Sequence, residues 1–171
     1  MSGPKAYFLT WTTYGAWVHG DARGTVDDEH NRYMTPRAPA CEARARANRA
    51  AMNSVEVRLG DDHRKLVDEA IRDHCAFRSW WLGALSVRSN HVHCVVHSGE
   101  TAPEQVVGQL KSWATRRLRE RGAFAPTHRI WAREASTRYL WKEHDVRAAQ
   151  QYVLECQDLP HKQSARRATG A

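Results

Sequence analysis

The stretch Asn90 to His97, NHVHCVVH, decides the reading of this chain. On a β-strand successive side chains point to opposite faces, so His91, His93, Val95 and His97 share one face while Val92, Cys94 and Val96 share the other. The apolar row anchors the strand in a core. The imidazoles at i and i+2 stand roughly 7 Å apart along the strand, close enough to converge on one divalent ion. The plainer reading is a half-polar sheet face on which the histidines bind nothing, with His97 at the far end of the row.

Working outward, Trp81 to Val87 precedes this strand through Arg88-Ser89-Asn90, a polar connection short enough for an antiparallel hairpin. Before it, Asp61 and Asp62 open a helical pattern with Leu66, Val67, Ala70, Ile71 and His74 at spacings of three and four, running to about Arg78. After it, Thr101-Ala-Pro-Glu104 has capping-box spacing and leads a stripe of Val107, Leu110, Ala114 and Leu118, stopped by Gly122. Ala6 to Thr13 (AYFLTWTT) reads as a first, central strand, Ile130 to Trp141 contains a last strand, and Val146 to Gln157 gives a final short helix before Pro160. The order β, α, β, β, α, β plus one helix predicts an α+β fold. It is a ferredoxin-like four-stranded antiparallel sheet with packed helices, a C-terminal helix, and a segment inserted after the first strand. The insertion is read over residues 15–60, punctuated by Gly20, Gly24, Pro36 and Pro39 and holding a short Ala/Arg-rich helix around Cys41 to Met52. The domain is expected over 1–160 and a basic polar tail over 161–171.

The 171 residues suffice for one domain with a core, and 26 Lys+Arg against 19 Asp+Glu give a formal net charge of +7. Residues 1–100 hold 13 basic and 12 acidic side chains, whereas residues 101–171 hold 13 and 7, so the positive field sits in the second half. Such a field attracts polyanions, of which nucleic acid is the commonest in cells. There is no run of about 18 apolar residues and no cleavable apolar leader, so no membrane partner and a cytoplasmic location are expected. Cys41, Cys75, Cys94 and Cys156 are scattered without Cys-x-x-Cys spacing and read as reduced thiols rather than disulfides or a thiolate zinc site.

Two imidazoles leave open metal positions, which suit phosphodiester oxygens, and no Ser elbow, Walker loop or Cys-His pairing offers a nucleophile. Water and tyrosine are the remaining attackers. Of the five tyrosines, Tyr152 in Ala148 to Gln157 stands out, because Ala149 and Val153 can dock the helix while Tyr152 points along its edge. A tyrosine whose hydroxyl merely finds a structural partner is the alternative. On the second long helix the apolar stripe leaves Arg116 and Arg119 outward, Lys111 and Arg117 toward the flanks, and Trp113 able to stack on an unpaired base. An ordinary solvated face with Trp113 in the core is the competing reading.

A set of ordered motifs carries a resemblance: TWTTYGAWVHGDARGTVD (Thr10 to Asp27), SNHVH (Ser89 to His93), KSWATRRL (Lys111 to Leu118), RIWAREASTRYLW (Arg129 to Trp141) and YVLECQ from Tyr152. Over nearly its whole length the chain resembles the single-tyrosine HUH transposases, and among them the insertion-sequence-derived group related to REP-associated tyrosine transposases. The resemblance implies a ferredoxin-like fold in which His91 and His93 bind Mg²⁺ or Mn²⁺. It further implies that Tyr152 on the late helix cleaves single-stranded DNA, becoming joined to a 5′-phosphate and releasing a 3′-hydroxyl. That family places Gln or Asn four residues after the tyrosine as a third ligand, whereas this chain has Cys156 there, with Glu155 before and Gln157 after. Gln157 is the expected third ligand by residue type, Glu155 offers the harder oxygen, and a Cys156 thiolate suits a hard ion least. The resemblance also turns the Lys111, Trp113, Arg116, Arg117 and Arg119 face toward DNA, with a hairpin-containing single strand as partner and a monomer or homodimer as the acting unit. The expectation is therefore a metal-dependent single-strand DNA endonuclease and strand transferase. The alternative is a non-catalytic or domesticated nucleic-acid-binding protein of the same fold.

Overall fold

The computed structural model describes residues 3–16, 42–50 and 55–155. In chain order these are β1 (Ala6–Thr13), α1 (Glu42–Ala50), α2 (Asp61–Phe77), β2 (Trp81–Val87), β3 (His91–His97), α3 (Pro103–Glu120), β4 (Trp131–Leu140) and α4 (Glu143–Glu155). The strands form one sheet in the order β2-β3-β1-β4. Every neighbouring pair is antiparallel, so the expected α+β sheet with packed helices is the fold observed. Of the expected insertion over 15–60, residues 17–41 and 51–54 lie outside the described residues, as do Gln157 and the tail over 161–171.

Strand alternation divides the core in two. On one sheet face Tyr7, Leu9 and Trp11 of β1 and Val92, Cys94 and Val96 of β3 pack against Val67 and Ile71 of α2 and Val106, Val107, Leu110, Ala114 and Leu118 of α3. On the other, Ala6, Ala84, Val95 and Leu140 pack beneath Val146 and Val153 of α4, with Phe8 and Ala149 at the rim. Each fully buried aliphatic or aromatic side chain contributes about 1.5–3 kcal/mol relative to exposure, so the α2/α3 layer is the main source of stability and α4 is held by a smaller patch.

The residues leading into α2 join that core. Val57 and Leu59 are each only 2 % exposed. Val57 N–H donates to the Tyr14 carbonyl at 2.9 Å and Leu59 N–H to the Ser89 carbonyl at 2.7 Å. The end of the segment read as an insertion thus packs inside, and the alternation in Val57-Arg58-Leu59 is the sequence signal for it.

Two helix starts differ from expectation: α4 begins at Glu143 rather than Val146, and α3 lacks its expected cap. Thr101 does not cap α3: the N-cap is Ala102, with Pro103 opening the helix and no side-chain cap. Thr101 is instead drawn into a turn, where Ser98 Oγ donates to its carbonyl at 2.9 Å. Proline at the first helical position loses no hydrogen bond and has its φ already set. At the other end Gly122 takes a φ of 68°. Its N–H donates to the Arg119 carbonyl and that of Ala123 to the Leu118 carbonyl, the paired bonds of a Schellman stop.

Between Trp11 and Thr13 the β1–β4 register jumps, Trp11 facing Ala135 and Thr13 facing Trp131. The Lys111 ammonium of α3 satisfies this irregularity, donating to the carbonyls of Ala132, Arg133 and Glu134 at 3.0, 3.2 and 3.3 Å. Burial draws its pKa down to about 8, which leaves it charged at neutral pH. Lys111→Met strands those acceptors and is expected to cost about 1–3 kcal/mol, read as a lowered midpoint in urea with an unchanged m-value.

Candidate functional site

The site lies on the α4 face of the sheet. Register pairs Thr10 with His93 and Thr12 with His91 across β1 and β3, placing both imidazoles on one interior strand, β3. Their ring centroids are 4.6 Å apart. His91 Nδ1 lies 2.7 Å from Asn90 Oδ1, an oxygen that can only accept, so Nδ1 carries the proton and Nε2 keeps its lone pair. His93 Nδ1 lies 2.7 Å from Thr10 Oγ1, whose hydroxyl can accept the Nδ1 proton and leave the His93 Nε2 lone pair exposed in the same way.

Burial lowers the His91 pKa, with the nearby Arg88 guanidinium adding to the effect. His93 is pushed down to about 4 by burial first, then by His91 and Arg88. Both rings are therefore neutral at neutral pH, the form that ligates a cation. Burial raises the thiols of Cys75, to about 11, and of Cys94, which keeps both protonated and unreactive.

Helix α4 brings Tyr152 to this pair. Val146 and Val153 are buried on the sheet, and Ala149 packs beside them. Tyr152, 42 % exposed, stands at the helix edge. Its ring meets His93 edge-on at 6.0 Å and Phe8 edge-on at 5.9 Å. Phe8 in turn stacks on His93 at 5.7 Å. A phenol and two imidazoles from distant parts of the chain thus share one partly open corner. Among the described residues no third His, Cys, Asp or Glu joins them in a metal-sized group. Glu155 is exposed and its carboxylate accepts from Gln151 Nε2 at 3.0 Å, while Cys156 and Gln157 lie outside the described residues.

The α3 residues expected to meet DNA are placed elsewhere, in the helical layer on the opposite side of the sheet from the imidazoles. Lys111 holds the β4 carbonyls described above. The Trp113 ring packs 5.3 Å from His74, with the Arg116 guanidinium 5.3 Å over it. Arg116 pairs with Glu120 at 2.9 Å and Arg117 with Asp73 of α2 at 3.0 Å. Arg119 donates to the His128 carbonyl at 3.3 Å. On the imidazole side, by contrast, Arg88 sits in the β2–β3 turn and Arg138 faces Phe8 across β1 and β4. Thr10, Phe8, Asn90 and Arg88 are the site residues that sequence reasoning left unassigned. Asn90 was signalled by its place beside His91, whereas Thr10 and Phe8 emerge only once the β1–β3 register is known.

The family model described as "Transposase IS200 like" matches residues 51–154, a span holding His91, His93 and Tyr152. The chain belongs to the IS200-like transposase family. No curated protein sequence matches this family member. Among solved structures it is similar to a candidate transposase of Deinococcus radiodurans, at 16 % identity and TM-score 0.51, covering 90 % of this chain and 91 % of that one. It is likewise similar to a REP-associated tyrosine transposase bound to a REP hairpin, at 14 % identity and TM-score 0.51, covering 90 % and 66 %. At these identities the two structures support the fold of this transposase and nothing finer. No helix among its described residues is long and apolar enough to cross a membrane.

Proposed function

We propose that this transposase is a single-strand DNA transesterase in which Tyr152 is the nucleophile and His91 and His93 hold a divalent cation, Mg²⁺ or Mn²⁺. The observation that carries the proposal is the convergence of Tyr152 and His93, at 6.0 Å between rings, in a chain of this family. Tyr152 Oη attacks the scissile phosphorus, the bond from phosphorus to the 3′-oxygen breaks, and a 5′-phosphotyrosine forms. The phenolic proton is lost and the departing 3′-oxygen takes one up. An incoming 3′-hydroxyl reverses the step, because a phenolate is a better leaving group than a sugar alkoxide. The cation, when bound, withdraws charge from the phosphate and eases attack at phosphorus. His91 and His93 fit it as neutral nitrogen donors whose Nδ1 atoms are already engaged, and Gln157 or Glu155 is the proposed third ligand. Arg88 and Arg138 on the same face are suited to orient the strand by its phosphates. The α3 face of Trp113, Arg116, Arg117 and Arg119 would meet a separate stretch of the DNA. A hairpin-containing single strand, the kind of DNA bound by the REP-associated neighbour, is the proposed substrate.

The test incubates the protein with hairpin-flanked single-stranded DNA and Mn²⁺ and looks for a covalent adduct on a denaturing gel. Absence of adduct at any hairpin tried, together with salt-sensitive binding indifferent to metal, would favour a non-catalytic DNA binder instead. The Nδ1 partners give a finer check. Thr10→Val and Asn90→Ala are each expected to weaken Mn²⁺ binding about 10- to 100-fold by calorimetry while the fold is kept. Equal affinity in both variants would remove the imidazoles from the metal site.

A further inference from the structure

Apolar packing alone leaves α4 free to roll. Its stripe is Val146, Ala149 and Val153, and hydrophobic contact has no preferred direction. At 100° per residue, Gln150 projects about 65° to one side of that stripe and Tyr152 about 95° to the other. A roll of about 20° at a side-chain radius of about 5–6 Å would carry the phenol ~2 Å from its place beside His93. A shift of that size matters, since misplacing a reacting group by about 1 Å can cost about 10²-fold in rate.

Among the described residues α4 is tied to the sheet by an exposed Lys5–Glu143 ion pair at 3.8 Å at its first turn, and by a part-buried hydrogen bond from Gln150 that opposes the roll. The β2–β3 register shifts between Leu82 and Ala84, which face Val96 and Val95, so Gly83 is the extra residue of a bulge on an edge strand. Gln150 Nε2 donates to the Gly83 carbonyl at 3.0 Å in a part-buried setting. A Cβ at residue 83 would fall 2.3 Å from the Trp81 ring, so glycine lets that indole lie across the backbone of the bulge. Trp81 also lines a cleft with Val146 and Glu143 of α4, beside this bulge.

We propose that the Gln150–Gly83 hydrogen bond is a latch fixing the rotation of α4, and that Gln150 is thereby a positioning residue for Tyr152. This rests on the reading of Tyr152 as nucleophile. The bond anchors the β2 side of α4, so the tyrosine on the opposite flank is presented in one orientation rather than several. The role differs from core packing, because Gln150 adds little buried apolar area and its effect is angular.

The experiment compares wild type with Gln150→Leu, which keeps bulk and loses the donor, and Gln150→Lys, which restores a donor on a long stem. Three quantities are read: the single-turnover rate of adduct formation at saturating hairpin-flanked single-stranded DNA, the DNA Kd, and amide hydrogen exchange of peptides across 143–155 against those of α2. Gln150→Leu is expected to slow the adduct step about 10- to 100-fold with Kd nearly unchanged, and to speed exchange in α4 alone. Gln150→Lys is expected to recover most of both. An unchanged adduct rate overturns the latch, and so does faster exchange spread evenly through α2 and α4. If wild type forms no adduct, the nucleophile reading falls separately, and exchange alone then judges the latch: faster in α4 of Gln150→Leu upholds it, unchanged overturns it.

Discussion

Tyr152→Phe is expected to lower the rate of covalent adduct formation by at least about 10⁴-fold while leaving fold and DNA affinity intact, the scale on which loss of a covalent nucleophile registers. Only the hydroxyl is removed. The ring contacts that seat the side chain, to Phe8 at 5.9 Å and to His93 at 6.0 Å, are available to phenylalanine as well. A partly exposed position of this kind changes stability by about 0.5 kcal/mol or less, so a thermal melt should overlay wild type. Two other tyrosines serve as controls. Tyr7 is buried and its pKa is raised by that burial, then by Tyr139 and Glu104. Tyr7 meets Tyr139 edge-on at 5.2 Å, on the sheet face covered by α2 and α3, away from the imidazoles. Tyr7→Phe and Tyr139→Phe should therefore leave the adduct undiminished. A labelled DNA strand that still travels with the Tyr152→Phe protein on a denaturing gel would remove Tyr152 from the reaction.

Legibility in the sequence followed the range of the forces involved. Trp81–Val87 and His91–His97 could be bounded from sequence because alternation and a three-residue polar turn are local signals. The α3 stripe was equally plain, since Leu110, Ala114 and Leu118 repeat at helical spacing and are all buried. The capping of α3 was misread because Thr101-x-x-Glu104 has the right spacing, yet Pro103 sets where the helix begins. What stayed hidden depends on contacts between distant segments. The Thr10 hydroxyl beside His93 spans 83 residues and needs the β1–β3 register. Which face of the sheet a helix covers was hidden for the same reason. A helical wheel separates the outward Arg116 from the inward Leu118, but it says nothing about whether that helix lies with the imidazoles or behind them. The arginines of α3 were thus correctly placed outside, on the side of the sheet now seen to be opposite the site. Gln150 gave no sign either, because its partner is a backbone carbonyl freed by a bulge at Gly83.

The second large effect is expected at the imidazoles, and it separates catalysis from binding. His91→Ala and His93→Gln should each reduce Mn²⁺-dependent adduct formation by at least about 10²-fold, the loss seen when a group stabilising developing charge is removed. DNA affinity and its salt dependence should be nearly unchanged, because phosphate contacts from arginine and lysine supply that term. His91→Ala is the cleaner variant. His93 also stacks on Phe8 at 5.7 Å and bonds Thr10, so its replacement disturbs packing, and glutamine is chosen to keep a polar partner for the hydroxyl. Calorimetry with Mn²⁺ alone should show the wild-type heat lost in both. If both variants bind DNA as wild type does, and wild type itself shows neither metal heat nor adduct, the protein is a DNA binder that has kept the fold. The neutral, Nδ1-anchored rings argue for the catalytic outcome: a surface that merely bound phosphate would gain from protonated imidazoles, whereas burial, His91 and Arg88 hold the His93 pKa down to about 4.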